Sequence, residues 1–375
     1  MASHKQIFDV DDARALAQKR LPRMIFNYID GAASDEHAKG LNEKCLSDLR
    51  LMPRVLINVD SRDLSDKILG METSLPFGIA PMGMCNLSWP GGDRALARLA
   101  KECKIPLCVS TAASTELEKV IELADGNAWF QLYAGQSTDF VDELVDRANV
   151  AGYKHFILTV DVPVLSVRNR ERRTGFGHPP RMDFRSLLDF ALHPHWSFRT
   201  LLSGMPRPMN FETSQVVSGF DRAASRAKAD WKFLKKLRDR WPHFLIVKGV
   251  QSSQDAKRIV SLGADGIYVS NHGGRQLNSA PAVINSLPLI RQEIGKKVPL
   301  IFDGGVRRGE DVVKARVCGA DFVMVGRPYL YGLGAAGYDG VRRITDILAE
   351  EISVTMGLIG ELGMEDLGAH NLANC

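Results

Sequence analysis

The chain has no run of about 18 apolar residues, so no segment of its 375 residues reads as a membrane-spanning helix. It has no CxxC pair. Its six cysteines (Cys45, Cys85, Cys103, Cys108, Cys318 and Cys375) are scattered, which points to reduced thiols in a cytosolic setting. It lacks an excess of one charge: 48 Lys plus Arg stand against 44 Asp plus Glu. A pI near 8.7 is too weak an argument for nucleic acid. The opening MASHKQIFDVDDARAL carries acids early and no apolar stretch, so we expect no secretory leader and a cytoplasmic location. No GxGxxG follows the first strand-like run, which weighs against an open doubly wound sheet. At 45% apolar and 25% charged, the composition is that of an ordinary globular protein and excludes collagen-like and disordered classes.

What is present is a repeat. Short apolar runs recur, each followed by a helical stretch: LPFGIA (75–80), PLCV (106–109), AWFQL (128–132), HFILTV (155–160), FLIVKG (244–249), GIYVS (266–270), PLIFDG (299–304) and FVMVG (322–326). Apolar on both faces, they suit buried parallel strands. Residues 93–103, 139–150 and 311–318 have helical periodicity, and a further helix starts near residue 9. Eight such units in order predict an α/β fold of the (β/α)8 TIM-barrel type over about residues 75–345. Residues 1–74 form an N-terminal extension. The connection after strand four, 161–243, far exceeds the usual ~2–6 residues. Its part at about 175–225 is expected to be an inserted loop or lid, so that 1–375 is one domain.

The active site of such a barrel lies at the C-terminal strand ends. Those ends carry Pro81, Met82 and Gly83; Ser110; Gln131 and Tyr133; Thr159 and Asp161; Lys248; Ser270, Asn271 and His272; Asp303; and Gly326 with Arg327. DGGVRRG (303–309) and VGRP (325–328) follow strands seven and eight, where phosphate sites commonly form. Glycines there let backbone N–H groups approach phosphate oxygens, and Arg307 and Arg327 add charged donors. Tight turns with solvated arginines are the plainer alternative, and position favours phosphate. In SNHGGRQL (270–277), His272 and Arg275 lie three apart. An arginine holds a carboxylate through two parallel hydrogen bonds, while a neutral histidine accepts a proton. Arg168 follows strand four in VRNRERR; Arg170, Arg172 and Arg173 of that run are expected to be a solvated basic face.

SNHGGRQL, LTVDVP, FQLY, IVKG, DGGVRRG and VGRP, in this order, with LPRMIFNYIDGAASDE near the start, resemble the FMN-dependent L-2-hydroxy acid oxidase/dehydrogenase family. Glycolate oxidase and the lactate and mandelate dehydrogenases belong to it. The resemblance covers about residues 5–345, the insertion excepted. It implies FMN over the barrel mouth, with Pro81, Met82 and Gly83 at the flavin edge. Ser110, Gln131 and Thr159 would hydrogen-bond the ring or its chain, and Lys248 would face the N1/O2 edge. Ser270 joins the cofactor set, and Asp303, Gly305, Arg307, Gly326 and Arg327 would hold the ribityl chain and phosphate. It further implies that Arg168, Arg275 and the Tyr28 hydroxyl bind a substrate carboxylate, and that Tyr133 bonds the 2-hydroxyl. His272 would be the base, oriented by Asp161. Whether the base takes the hydroxyl proton or the Cα proton, the same residues serve.

No metal is expected, since His193 and His195 of HPHW have no third ligand cluster. His4, His37, His155, His178, His243 and His370 are expected to be surface or core residues, and Cys85 and Cys108 small apolar fillers. Ala112 falls where glycolate oxidases carry a bulky Trp, which leaves room for lactate, a longer chain or an aromatic ring. Gly83 falls where oxidases often carry Ala, a feature of the dehydrogenases.

Within 184–211, FRSLLDFAL and WSFRTLL are amphipathic, and Trp196, Phe198 and the leucines suit a membrane interface with basic neighbours. A lid packed on the barrel is the alternative. The membrane-associated members have a segment of similar look. The resemblance therefore implies peripheral attachment at the inner face of the cell membrane and a membrane quinone as electron acceptor. The rival is a soluble oxidase that passes electrons to oxygen and makes peroxide. A non-catalytic flavin-binding barrel would need no anion clamp beside a base. A homotetramer is expected, and no nucleic-acid partner.

Overall fold

In the computed structural model, residues 4–373 are described apart from 136, 178–181 and 218–225. Eight parallel strands close into a barrel: β1 (Phe77–Met82), β2 (Leu107–Ser110), β3 (Ala128–Tyr133), β4 (His155–Thr159), β5 (Phe244–Val250), β6 (Gly266–Val269), β7 (Leu300–Phe302) and β8 (Phe322–Val325). Each of the eight apolar runs overlaps one of them. β8 pairs with β1 through Val323–Phe77 and Val325–Ile79, which closes the circle and excludes an open doubly wound sheet. The architecture is a (β/α)8 TIM barrel.

Two cores follow from the period of two in a strand. Outward residues pack against the helices, and inward ones form a separate cluster. Ala80, Cys108, Trp129, Ile157, Ile246, Tyr268, Ile301, Phe322 and Met324 fill that interior. A hairpin, Asp66–Ile68 with Met71–Thr73, closes the lower end; Ile68 joins the interior cluster, and Leu69 O meets His155 Nε2 at 2.9 Å. His155 stacks between Trp129 and Phe244 at 4.7 and 5.2 Å, a core histidine. The hairpin plugs the bottom of the barrel and leaves the C-terminal mouth for a ligand.

Several helices start at a side-chain cap. The Asp9 carboxylate accepts from Asp12 N at 2.7 Å to begin Val10–Arg20, and Ser137 Oγ from Phe140 N at 3.2 Å to begin Thr138–Val150. The long connection after β4 contains Phe184–Leu192, Pro194–Ser203 and Met209–Glu212. Buried Asn210 ties it down by accepting from Leu117 N at 2.9 Å and donating to Thr111 O at 3.2 Å. Among the described residues no helix is long and apolar enough to cross a membrane.

Candidate active site

The strand period also builds the mouth. Beyond inward Trp129 come Gln131 and Tyr133; beyond Ile157 come Thr159 and Asp161; beyond Ile246, Tyr268 and Ile301 come Lys248, Ser270 and Asp303. Above them lies a cavity of about 910 Å³. Tyr28, Pro81, Met82, Gly83, Ser110, Ala112, Tyr133, Arg168, Lys248, His272, Arg275, Asp303, Gly305, Arg307, Gly326 and Arg327 line it. Asp161, Gln131, Thr159 and Ser270 stand behind that lining, bonded to His272, each other or Lys248.

His272 Nδ1 lies 3.0 Å from Asp161 Oδ1, and its Nε2 lies 3.3 Å from the Tyr133 hydroxyl. Donation from Nδ1–H to the carboxylate leaves Nε2 as the lone-pair nitrogen, facing the cavity. Burial lowers the His272 pKa below 6.5, Lys248 and Arg168 add to this, and Asp161 opposes it. The imidazole is therefore neutral at pH 7. Burial acts to raise Asp161, but His272 and Lys248 outweigh it and keep the carboxyl ionised. Tyr133 is pushed up by burial and by Asp161, so it remains a phenol.

Two backbone conformations make this contact. His272 itself sits at φ +60, a left-handed conformation that costs about 1 kcal/mol for a residue with a Cβ. Gly249 has φ +101, and a Cβ there would stand 2.5 Å from the Asp161 Cβ. Only glycine at the bulge of β5 lets Asp161 come in.

Below, Lys248 Nζ donates to Ser270 Oγ at 2.6 Å and pairs with Asp303 Oδ2 at 3.0 Å, with the lysine only 3% exposed. To one side, Arg275 Nη1 donates to Tyr28 O at 2.7 Å and Gly31 O at 2.8 Å. Arg168 Nη2 donates to Gln276 Oε1 at 3.3 Å. Tyr28 donates to Gly83 O at 3.1 Å and stacks on Phe176 at 4.4 Å. Across the floor, Gly304 and Gly305 have φ +117 and +90, which suits glycine alone. Arg307 pairs with Glu43 at 2.7 Å. Half-buried Arg327 donates to Gly273 O at 2.9 Å and Gly31 O at 2.8 Å. Among the described residues no carboxylate pairs with it, and burial, Arg307 and Arg275 lower its pKa to about 10.

The model of the family described as FMN-dependent dehydrogenase matches residues 17–374. The chain belongs to this family. It is 39% identical to the (S)-mandelate dehydrogenase of Pseudomonas putida, over 99% of this chain and 95% of that protein. It is 36% identical to a peroxisomal (S)-2-hydroxyacid oxidase of Arabidopsis thaliana, over 96% of this chain and 95% of that one. The crystal structure of (S)-mandelate dehydrogenase described as a monotopic membrane protein superposes with a TM-score of 0.93 at 38% identity, covering 98% of this chain and all of that one. The protein is an FMN-dependent oxidoreductase acting on a 2-hydroxy acid.

The residues fit the cofactor. Gln131 donates to Thr159 at 2.9 Å, but its Oε1 is buried without a partner, an acceptor suited to a flavin ring N–H. Half-buried Arg327, with the Gly304–Gly305 turn on the same cavity, suits a phosphate. Lys248 presents a desolvated positive charge, suited to an electron-rich ring edge.

Two findings depart from the expectations. Arg170 is not solvated: it bonds Asp30 at 2.7 Å, Glu36 at 3.1 Å and Asn27 at 3.0 Å. Trp196 is not at an outer interface; it is buried and donates to Leu87 O at 2.7 Å. The insertion also roofs the cavity, through Met182, Phe190, Trp196, Leu201 and Met205. Its outer face remains apolar, with Phe184 79%, Leu188 51%, Leu192 70%, Phe198 64% and Leu202 73% exposed. His178 and the ends of the insertion at 178–181 and 218–225 lie outside the described residues.

Sequence reasoning missed Glu171, the buried acid between the two site arginines, and Arg226, whose guanidinium lies 5.2 Å from the Tyr133 ring centre. The one acid in a basic run, three residues past Arg168, was the available signal for Glu171.

Proposed function

We propose that this enzyme oxidises an (S)-2-hydroxy acid with a bulky apolar side chain, of the mandelate or longer-chain kind. It does so at a membrane surface and passes electrons to a membrane quinone. The observation that carries this reading is one cavity with His272 Nε2 on one wall and the Arg168–Arg275 pair on another. In it, Arg168, Arg275 and the Tyr28 hydroxyl bind the carboxylate, which offsets its removal from water. The Tyr133 hydroxyl bonds the 2-hydroxyl. His272 takes a substrate proton at Nε2, and Asp161 steadies the imidazolium that results. FMN, held by Gln131, Lys248, the Gly304–Arg307 turn and Arg327, supplies the acceptor for the two electrons that leave the substrate.

The side chain is argued from the walls. Ala112 lines the cavity, and Phe190, Trp196, Leu201 and Met205 make much of its roof apolar, which suits an aromatic or alkyl group. Gly83 faces Ala112, and a Cβ there would come within 3.2 Å of the Ala112 Cβ. The membrane and quinone reading draws support from the exposed apolar outer face of 184–202 and from the likeness to a monotopic membrane dehydrogenase. A homotetramer goes with this reading.

The test is anaerobic titration of the yellow protein with glycolate, lactate, 2-hydroxyoctanoate and mandelate, following the flavin absorbance. The expected result is bleaching, most efficient with the last two. A flavin that stays oxidised with all four contradicts the reading. Reoxidation of the bleached enzyme should then be fast with a soluble quinone and slow with air.

A further inference from the structure

Glu171 is buried between two cations that the substrate carboxylate would share. Its Oε1 accepts from Arg275 Nη2 at 2.7 Å and from Arg168 Nη1 at 3.4 Å, with the side chain 4% exposed. A carboxylate in that place costs desolvation energy and competes with any bound anion, so propping two arginines is a poor account of it. Backbone carbonyls already hold Arg275 from the other side, and Gln276 holds Arg168.

We propose that Glu171 is a specificity-determining residue: it sets the charge of the anion clamp at +1, so that the site accepts a monocarboxylate and rejects a dianion. The inference rests on the proposed function, since it takes Arg168 and Arg275 as the carboxylate site. Two guanidinium groups and one glutamate sum to +1, the complement of one carboxylate. Two other cations of the cavity have carboxylates of their own: Lys248 pairs with Asp303, and Arg307 with Glu43. Arg226 also lines the cavity, with its guanidinium over the Tyr133 ring, 5.2 Å from the ring centre. Glu171 stands behind the two arginines and does not line the cavity, so it acts by lowering the positive potential they present, and a second carboxylate on the substrate finds no further positive charge there to offset its removal from water.

The test uses FMN-loaded wild type, E171Q and E171D. Oxalate, a dianion, and benzoate, a monoanion, are titrated at fixed pH and ionic strength, and binding is read from the flavin spectrum. E171Q keeps the acceptor oxygen and loses the charge, so the oxalate-to-benzoate affinity ratio should rise about tenfold or more. E171D keeps the charge and should keep the wild-type ratio even if both ligands weaken. In turnover, E171Q should gain kcat/KM for L-malate relative to mandelate. An unchanged ratio in E171Q, or an equal loss of both ligands, overturns the proposal and leaves Glu171 a prop. A raised ratio in E171D overturns it as well. Failure of the function itself would show differently, as no bleaching of wild type by any hydroxy acid while the anion ratios still respond to Glu171.

Discussion

At the scale of single residues, the proposed chemistry turns on a neutral imidazole whose charged form is awaited by a carboxylate. Burial lowers the His272 pKa, so the base form fills as pH rises through a value below 6.5. The kcat/KM of the free enzyme should therefore rise along one acidic limb below that value and level off above it. Asp161 acts to raise that pKa. In D161N the limb should move to lower pH and the plateau should fall by about a hundredfold or more, because the imidazolium loses its counter-charge. A pH–rate profile checks both. Most of these residues were legible in the sequence because strand ends and glycine turns are local signals. Glu171 was not, because a buried counter-ion is defined by what surrounds it. Its one local signal, a lone acid in a basic run, does not say that it is buried while Arg172 and Arg173 beside it are exposed.

Among the elements, Asp30 ties together what the barrel alone would not hold. It is fully buried and takes Arg14 at 2.7 Å, Arg170 at 2.7 Å and the Tyr331 hydroxyl at 2.7 Å. It thereby joins the N-terminal helices, the Asn169–Arg173 turn that carries Glu171, and the helix that begins with Arg327. Burial acts to raise its pKa, but Arg14, Lys39, Tyr331 and Arg170 outweigh it and hold the carboxyl far below the usual range. A depressed folded-state pKa gives stability that is full above the unfolded value and fades as pH falls towards the folded one. D30N should lose about 3–5 kcal/mol at pH 7, and its deficit against wild type should shrink below about pH 4. Urea unfolding at pH 7 and pH 3 measures this; an equal deficit at both would contradict it. The eight strands were readable because buried parallel strands are continuous apolar runs. The lid was readable only as apolar surface. Periodicity cannot say which side of a short amphipathic helix meets protein, and so Trp196 was assigned to the wrong face.

For the whole molecule, the insertion has two faces with separate tasks on this reading: an inner one that roofs the cavity and an outer one that meets lipid. Phe184, Leu188, Leu192, Phe198 and Leu202 belong to the outer face and are absent from the cavity lining. Changing these five to Ser should abolish sedimentation with anionic vesicles and leave flavin reduction by substrate unchanged within about twofold. Retained sedimentation would remove the membrane from the account. The central claim is simpler: a bound flavin is reduced because His272 takes a proton from a hydroxy acid held beside it. It is tested most directly by mixing mandelate anaerobically with H272Q in a stopped-flow instrument. The variant should stay yellow, with FMN bound and reduction slowed by about 10⁴-fold or more against wild type. Bleaching of H272Q at the wild-type rate would contradict it.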